Sequence, residues 1–386
     1  MRILHVIPSL NPVGGGPVEG LRRLAVAEMQ LGHFVEVLTL DEPDAPWLAG
    51  LPFRIHAVGP AKLGYGYTSR LVPWLREHRE HYDAVIVEGL WQYHCYAVWK
   101  ALRGTATPYY VFTHGMLDPW FKRAYPLKHL KKWLYWPWGQ YPVLRDAKAV
   151  LFTCEDERLL ARESFWLYRA NEVVVGYGTA RPVGDAATQR ASFLSNYPEL
   201  EGKRIFLFLS RIHEKKGCDL LIEAFAKFAK QNNALHLVMA GPDQTGWKEK
   251  LVSLSLDLGI KDCITWTGMI SGDMKWGAYH AADVFVLPSH QENFGVVVAE
   301  ALACGVPTLI SNKVNIWREV EAEGAGIVAE DTLVGTTELL EKWLAMNTGA
   351  QVEMCKKAAA CFESRFEMGK AAQNLIDVIV ASKHVS

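Results

Sequence analysis

From the first residue to the last, short apolar runs alternate with longer segments of helical periodicity, and this rhythm restricts the chain to parallel sheets covered by helices on both faces. In the first half the runs read as strands are Ile3 to Ile7, Val35 to Leu40, Phe53 to Val58, Ala84 to Val87, Tyr109 to Phe112, Ala149 to Phe152 and Glu172 to Val175. In the second half they are Ile205 to Leu209, Leu235 to Met239, Ile264 to Trp266, Val284 to Leu287 and Thr308 to Ile310. The stretch Tyr177 to Leu200, with its Gly, Pro, Asp, Gln and Asn, breaks the rhythm and is read as an interdomain linker. A length of 386 residues suits two domains, each with a sizeable core.

Net charge is −1, which argues against a general nucleic-acid binder. The seven cysteines form no C-x-x-C pair, and their odd number leaves one over in any disulfide scheme, so a reducing cytoplasm is expected. Met1 to Pro8 is too short an apolar run for a signal peptide and reads as a first buried strand, and no run of about 18 apolar residues suggests a spanning helix.

Two blocks carry the chemistry. In Ser289-His-Gln-Glu-Asn-Phe-Gly-Val-Val-Val-Ala-Glu300, a strand gives way to a turn and a helix opening near Gly295, which would aim backbone N–H groups at an anion. Glu292 and Glu300, eight residues apart, suit hydroxyl groups either side of a diphosphate, as in a sugar nucleotide. Upstream, Ser210-Arg-Ile-His-Glu-Lys-Lys-Gly217 supplies the cations: Arg211 as a planar fork for phosphate oxygens and Lys216 as a point charge. Taken singly, each of these four residues reads as a surface charge; their combination does not.

These blocks closely resemble the signature of family 4 of the retaining glycosyltransferases, down to the spacing from Arg211 to Lys216-Gly217, the Phe294-Gly295 pair and the Glu-x7-Glu element. The resemblance implies the GT-B fold: two Rossmann-like α/β domains facing each other across a cleft. The N-terminal domain would span about residues 1–180 and bind the acceptor. It would be joined by a C-terminal helix over about 366–386, while residues 200–365 would hold the donor. By the same resemblance Glu292 contacts donor-sugar hydroxyls, Glu300 the ribose, and His114 the donor sugar beside the reacting centre. Asn293, Phe294 and Gly295 would offer the donor their backbone N–H groups. The glycine loop Pro12-Val-Gly-Gly-Gly-Pro17 lies where the family carries such a loop, with Gly15 and Gly16 at the phosphate; it does not fit G-x-G-x-x-G, because Glu19 stands in the last glycine's place. The likeness is weakest at Val175-Gly-Tyr-Gly178, which receives no site role. Glu88 and Asp118 are weaker acceptor contacts, equally readable as helix caps or loop carboxylates.

No D-x-D motif or metal-ligand cluster is visible, so metal-free transfer without a cofactor is expected, with a nucleotide sugar, a UDP-sugar first, as co-substrate. The resemblance implies retention of configuration and a setting in cell-surface polysaccharide biosynthesis, on a saccharide or lipid-linked saccharide acceptor. The basic, aromatic stretch 116–138 fits either peripheral contact with the inner face of the cytoplasmic membrane or an ordinary amphipathic structure. Two other readings stay open: a nucleotide-sugar epimerase of the same fold, and a noncatalytic sugar-nucleotide-binding protein.

Overall fold

A computed structural model describes residues 1–62 and 64–383, and the chain divides into two compact units. The first comprises residues 1–178 and the helix Met368–Lys383; the second comprises residues 179–367. The expected final helix thus begins two residues late, and His384 to Ser386 lie outside the described residues.

In the first unit β1 (Arg2–Ile7), β2 (Phe34–Thr39), β3 (Arg54–Ala57), β4 (Ala84–Glu88), β5 (Tyr109–Phe112), β6 (Ala149–Phe152) and β7 (Glu172–Val174) form one parallel sheet ordered β3-β2-β1-β4-β5-β6-β7. β1 and β4 lie side by side at its centre, with His5 opposite Ile86. Both strands are covered on both faces, which explains their unbroken apolar runs and makes the buried His5 and Glu88 exceptional. The helix Met368–Lys383 packs against the helix Gly16–Gln30 through Leu375, Ile376 and Ile379, and Asn374 Nδ2 donates to the Val175 carbonyl at 3.0 Å.

In the second unit β8 (Arg204–Leu209), β9 (Leu235–Ala240), β10 (Ile264–Gly268), β11 (Val284–Leu287), β12 (Thr308–Ser311) and β13 (Gly326–Ala329) form a second parallel sheet, ordered β10-β9-β8-β11-β12-β13. β13 has no counterpart among the strands read from the sequence. It is a four-residue edge strand, Gly326-Ile-Val-Ala329, half-buried throughout.

The stretch read as a linker instead contains the helix Ala186–Asn196, whose Asp185 cap accepts from the Thr188 N–H at 2.7 Å. Its Phe193 is fully buried against the helix Gly272–Ala281, and a Cβ on Gly277 would lie 2.3 Å from the Gln189 carbonyl oxygen. The polar composition is that of an exposed helix face, not of a loose tether.

The stretch 116–138 is partly core and partly surface. It forms the helices Trp120–Ala124 and Pro126–Tyr135 and runs into a π-helical turn from Trp136 to Gln140. Trp136 is fully buried and stacks on Phe165 at 4.2 Å, whereas Leu127, Leu130, Leu134 and Trp138 stand exposed. No helix among the described residues is long and apolar enough to cross a membrane.

Candidate active site

Each sheet reverses its winding at one place: between β1 and β4 in the first unit and between β8 and β11 in the second. Beyond the carboxyl ends of strands at such a reversal the following loops part and leave room for a ligand. Most of the residues singled out from the sequence fall on these loops, while His114 and Asp118 follow β5 and Glu300 lies within a helix.

In the second unit Arg211 and Lys216 follow β8, and Glu292, Asn293, Phe294 and Gly295 follow β11. Backbone contacts lock the two loops together. The Lys215 carbonyl accepts from the His290 N–H at 2.9 Å and from Ser289 Oγ at 3.0 Å. Gly217 has φ of 65°, and a Cβ there would stand 2.2 Å from the Pro288 carbonyl oxygen, so only glycine permits this approach. Lys216, its side chain 7% exposed, is thereby brought into an ion pair with Glu292, seventy-six residues away in sequence. Glu292 is fixed in turn by its own backbone, which bonds to Lys313 and Asn315 beyond β12 at 2.9 and 3.0 Å.

Two helix N-termini open beside this pair: Cys218–Ala229 directly after Lys216-Gly217, and Val296–Ala303 directly after Gly295. Their first N–H groups have no partner within the helix and carry partial positive charge. Arg211 is exposed and its guanidinium has no partner among the described residues, so the loop offers a free fork beside a held ammonium. Together these groups form a cationic end to the sheet suited to a diphosphate.

Glu300 is placed one turn into its helix and is buried. One carboxylate oxygen pairs with Lys275 at 2.8 Å and the other accepts from Tyr279 Oη at 3.2 Å. Neither partner was legible as a site residue. The Phe294 ring packs on Phe366 at 5.7 Å within the core, so what this residue has to offer a ligand is its backbone.

In the first unit Gly15 and Gly16 lie after β1, with Gly16 opening the helix Gly16–Gln30. Val175-Gly-Tyr-Gly178, given no role from the sequence, supports this loop: Tyr177 Oη donates to the Gly16 carbonyl at 3.3 Å. Its ring fills the space that a side chain on Gly20 would need.

His114 follows β5 and adopts φ of 48°, an uncommon left-handed conformation for a non-glycine residue. Its ring stacks on Phe112 at 4.8 Å, and its Nε2 bonds to Glu88 at 2.6 Å. Glu88, expected at the acceptor, is 3% exposed and is not presented to a ligand; its other oxygen bonds His5 Nδ1 at 2.7 Å, and His5 Nε2 bonds Glu28 at 2.9 Å. A buried chain Glu28–His5–Glu88–His114 therefore fixes the ring of His114 from behind. Burial by itself would push the His5 imidazole down, but the Glu28 and Glu88 carboxylates outweigh it and hold it up at about 10. Burial would likewise raise the Glu88 carboxyl, and hydrogen bonds from His114 and His5 reverse this, bringing it to about 2. Asp118 caps the next turn, accepting from the Trp120 N–H at 2.8 Å, and also lines a cavity of about 300 Å³ with Trp91 and Lys132. A larger cavity of about 800 Å³ lies at the opposite end of this sheet, near Asp83 and Pro108, and contains none of these residues.

Comparison with known proteins bears on the family and the fold. Residues 190–360 match the family described as Glycosyl transferases group 1, and residues 15–178 match the Glycosyl transferase 4-like domain. D-inositol 3-phosphate glycosyltransferase of Gordonia bronchialis is 33% identical over 38% of this chain and 33% of its own length. Mannosylfructose-phosphate synthase of Agrobacterium fabrum is also 33% identical, over 46% of this chain and 40% of its own. The chain spans between about a quarter and a half of the length of such curated relatives. Among solved structures, Anabaena HepE in complex with UDP superposes with a TM-score of 0.77 at 17% identity, covering 99% of this chain and all of that one. The fold is that of the GT-B enzymes, and the chain belongs to the group 1 glycosyl transferases.

Proposed function

We propose that this protein transfers a sugar from a nucleotide diphosphate, a UDP-sugar, to a saccharide or lipid-linked saccharide, with retention of anomeric configuration and without a metal ion. The observation that carries the reading is the meeting of Lys216, Glu292, the free Arg211 fork and two helix N-termini at the reversal point of the second sheet. That HepE was solved with UDP supports the choice of nucleotide.

In such a reaction the bond between the anomeric carbon and the β-phosphate oxygen breaks, and its electron pair leaves with the diphosphate. Arg211, Lys216 and the helix N–H groups meet that charge where it develops, which lowers the barrier more than equal binding of the intact donor would. The new bond forms between the anomeric carbon and an acceptor hydroxyl on the same face, whose proton passes to the departing phosphate. Glu292, released from Lys216 as the phosphate takes the ammonium, accepts from hydroxyls of the sugar, and Glu300 accepts from the ribose. His114, held by Glu88, contacts the donor sugar; Gly15 and Gly16 approach the phosphate; Asp118 contacts the acceptor.

Assembly of cell-surface polysaccharide at the inner face of the cytoplasmic membrane is the setting this reading favours, with the exposed leucines and lysines of 126–138 touching the membrane surface. A screen of UDP-sugars against saccharide acceptors, with the product's anomeric configuration read by proton NMR, tests the reaction. A product of unchanged configuration formed in the presence of a chelator is expected; an inverted product, or strict dependence on a divalent ion, would overturn the mechanism.

A further inference from the structure

Loops after β3, β4 and β5, all at the carboxyl edge of the first sheet, enclose a cavity of about 590 Å³ whose lining is chemically uniform. It consists of five tyrosines, two tryptophans, Lys131 and Lys132. The lining holds no carboxylate or amide, and aromatic rings make up most of it. Two of its phenols bond to one another, Tyr65 Oη and Tyr135 Oη lying 2.6 Å apart. What remains is a wall of aromatic faces suited to an apolar chain.

The cations give the other half of the ligand. Lys132 Nζ lies 4.4 Å from the centre of the Trp91 ring and 5.5 Å from that of Phe121, and no carboxylate pairs with it among the described residues. Burial, with Lys128 nearby, brings its ammonium down to about 8. Asp118 shares the smaller cavity with Lys132 but accepts from the Trp120 N–H, so this half-buried cation lies against aromatic rings without a paired carboxylate among the described residues. Trp91 itself is held at φ of 72°, a costly conformation for a bulky residue, by a hydrogen bond from its N–H to Gln140 Oε1 at 2.9 Å and one from its indole to the Met116 carbonyl at 3.2 Å. Its ring forms a wall shared with the smaller cavity beside Asp118.

We propose that this cavity binds the isoprenoid diphosphate portion of a lipid carrier, with the chain against Tyr93, Tyr135 and Trp138 and the diphosphate on Lys131 and Lys132. The inference deepens the lipid-linked acceptor suggested above and rests on that reading. The concave, aromatic shape of the site favours one branched apolar chain over the surface of a bilayer, and the paired lysines favour a diphosphate over an uncharged head.

The test is calorimetric titration of the whole protein with geranylgeranyl diphosphate below its micelle concentration, beside inorganic diphosphate, geranylgeraniol and octyl glucoside. Variants Lys132→Met and Trp138→Ala are titrated in parallel; Trp138 is 65% exposed, so its removal leaves the core intact. Geranylgeranyl diphosphate is expected to bind at least tenfold more tightly than either half alone, and each variant to lose tenfold or more. Equal binding of inorganic diphosphate, unchanged affinity in both variants, or preference for octyl glucoside would overturn the assignment. UDP binding, measured on the same samples, separates failure of this site from failure of the donor-site reading: its retention with no lipid binding rejects the lipid site alone.

Discussion

Replacing His5 by leucine removes the cation that two buried carboxylates share, and the structure sets the size of the effect. Raising an imidazole from its ordinary 6.5 to about 10 corresponds to about 5 kcal/mol in favour of the charged ring, at about 1.4 kcal/mol per pH unit. Breaking a buried ion pair by removing one partner costs about 3 to 5 kcal/mol, so the two figures agree in scale. Total stability of a domain is about 5 to 15 kcal/mol, so the variant is expected to fold but to open readily. The pH dependence has a definite sign. In the native protein the His5 contribution is fully present below pH 6.5 and is lost as pH rises toward 10, so it is flat between pH 4.5 and 6.5. Hydrogen exchange of β1 and β4 peptides reads the opening free energy, with β8 and β11 peptides of the other unit as internal reference. The double variant His5→Leu/Glu28→Leu should recover most of the loss, since an apolar pair of similar volume replaces the ions. A single variant within about 1 kcal/mol of native, or a double variant no better than the single, would refute the reasoning.

Other consequences follow from the same geometry. Lys216→Ala should lower kcat about 10²- to 10³-fold, read by product formation at saturating donor, because the leaving charge loses a preorganised cation. Glu300→Ala should weaken UDP affinity about tenfold or more in calorimetry, an interaction made equally in ground and transition states; unchanged affinity removes Glu300 from the ribose. Gly217→Ala forces a Cβ to within 2.2 Å of the Pro288 oxygen, so the clamped loops must part: the second unit's Tm should drop by several degrees and UDP binding should loosen with it. Glu88→Gln should reduce turnover more than tenfold and alter its pH profile while leaving UDP affinity in place, because it acts through the His114 ring and lies in the other unit.

What the sequence made legible, and what it hid, divides along physical lines. Strands buried on both faces announce themselves as apolar runs, and twelve of the thirteen were read within one or two residues; β13 was missed although Gly326-Ile-Val-Ala329 is also apolar. The blocks around Lys216 and Glu292 were visible because each is local, a loop followed by a helix start. Their contact was not, since it depends on β8 and β11 being neighbours and on Gly217 permitting a backbone approach. The Glu28–His5–Glu88–His114 chain was invisible for the same reason, its members coming from a strand, a helix, a second strand and a loop. A signal did exist: a histidine in the middle of an apolar strand requires a buried partner. The helix after Asp185 was hidden by flanking Gly and Pro, although Asp185 and Thr188 form a recognisable cap.

The central claim is that the second unit holds a metal-free site for a uridine diphosphate. Calorimetric titration of the protein and of Lys216→Ala with UDP, GDP, ADP and NAD, in the presence of EDTA, tests it directly. The account predicts selective binding of UDP to the native protein and markedly weaker binding to the variant; no UDP binding without a divalent ion, or equal affinity in the two proteins, would contradict it.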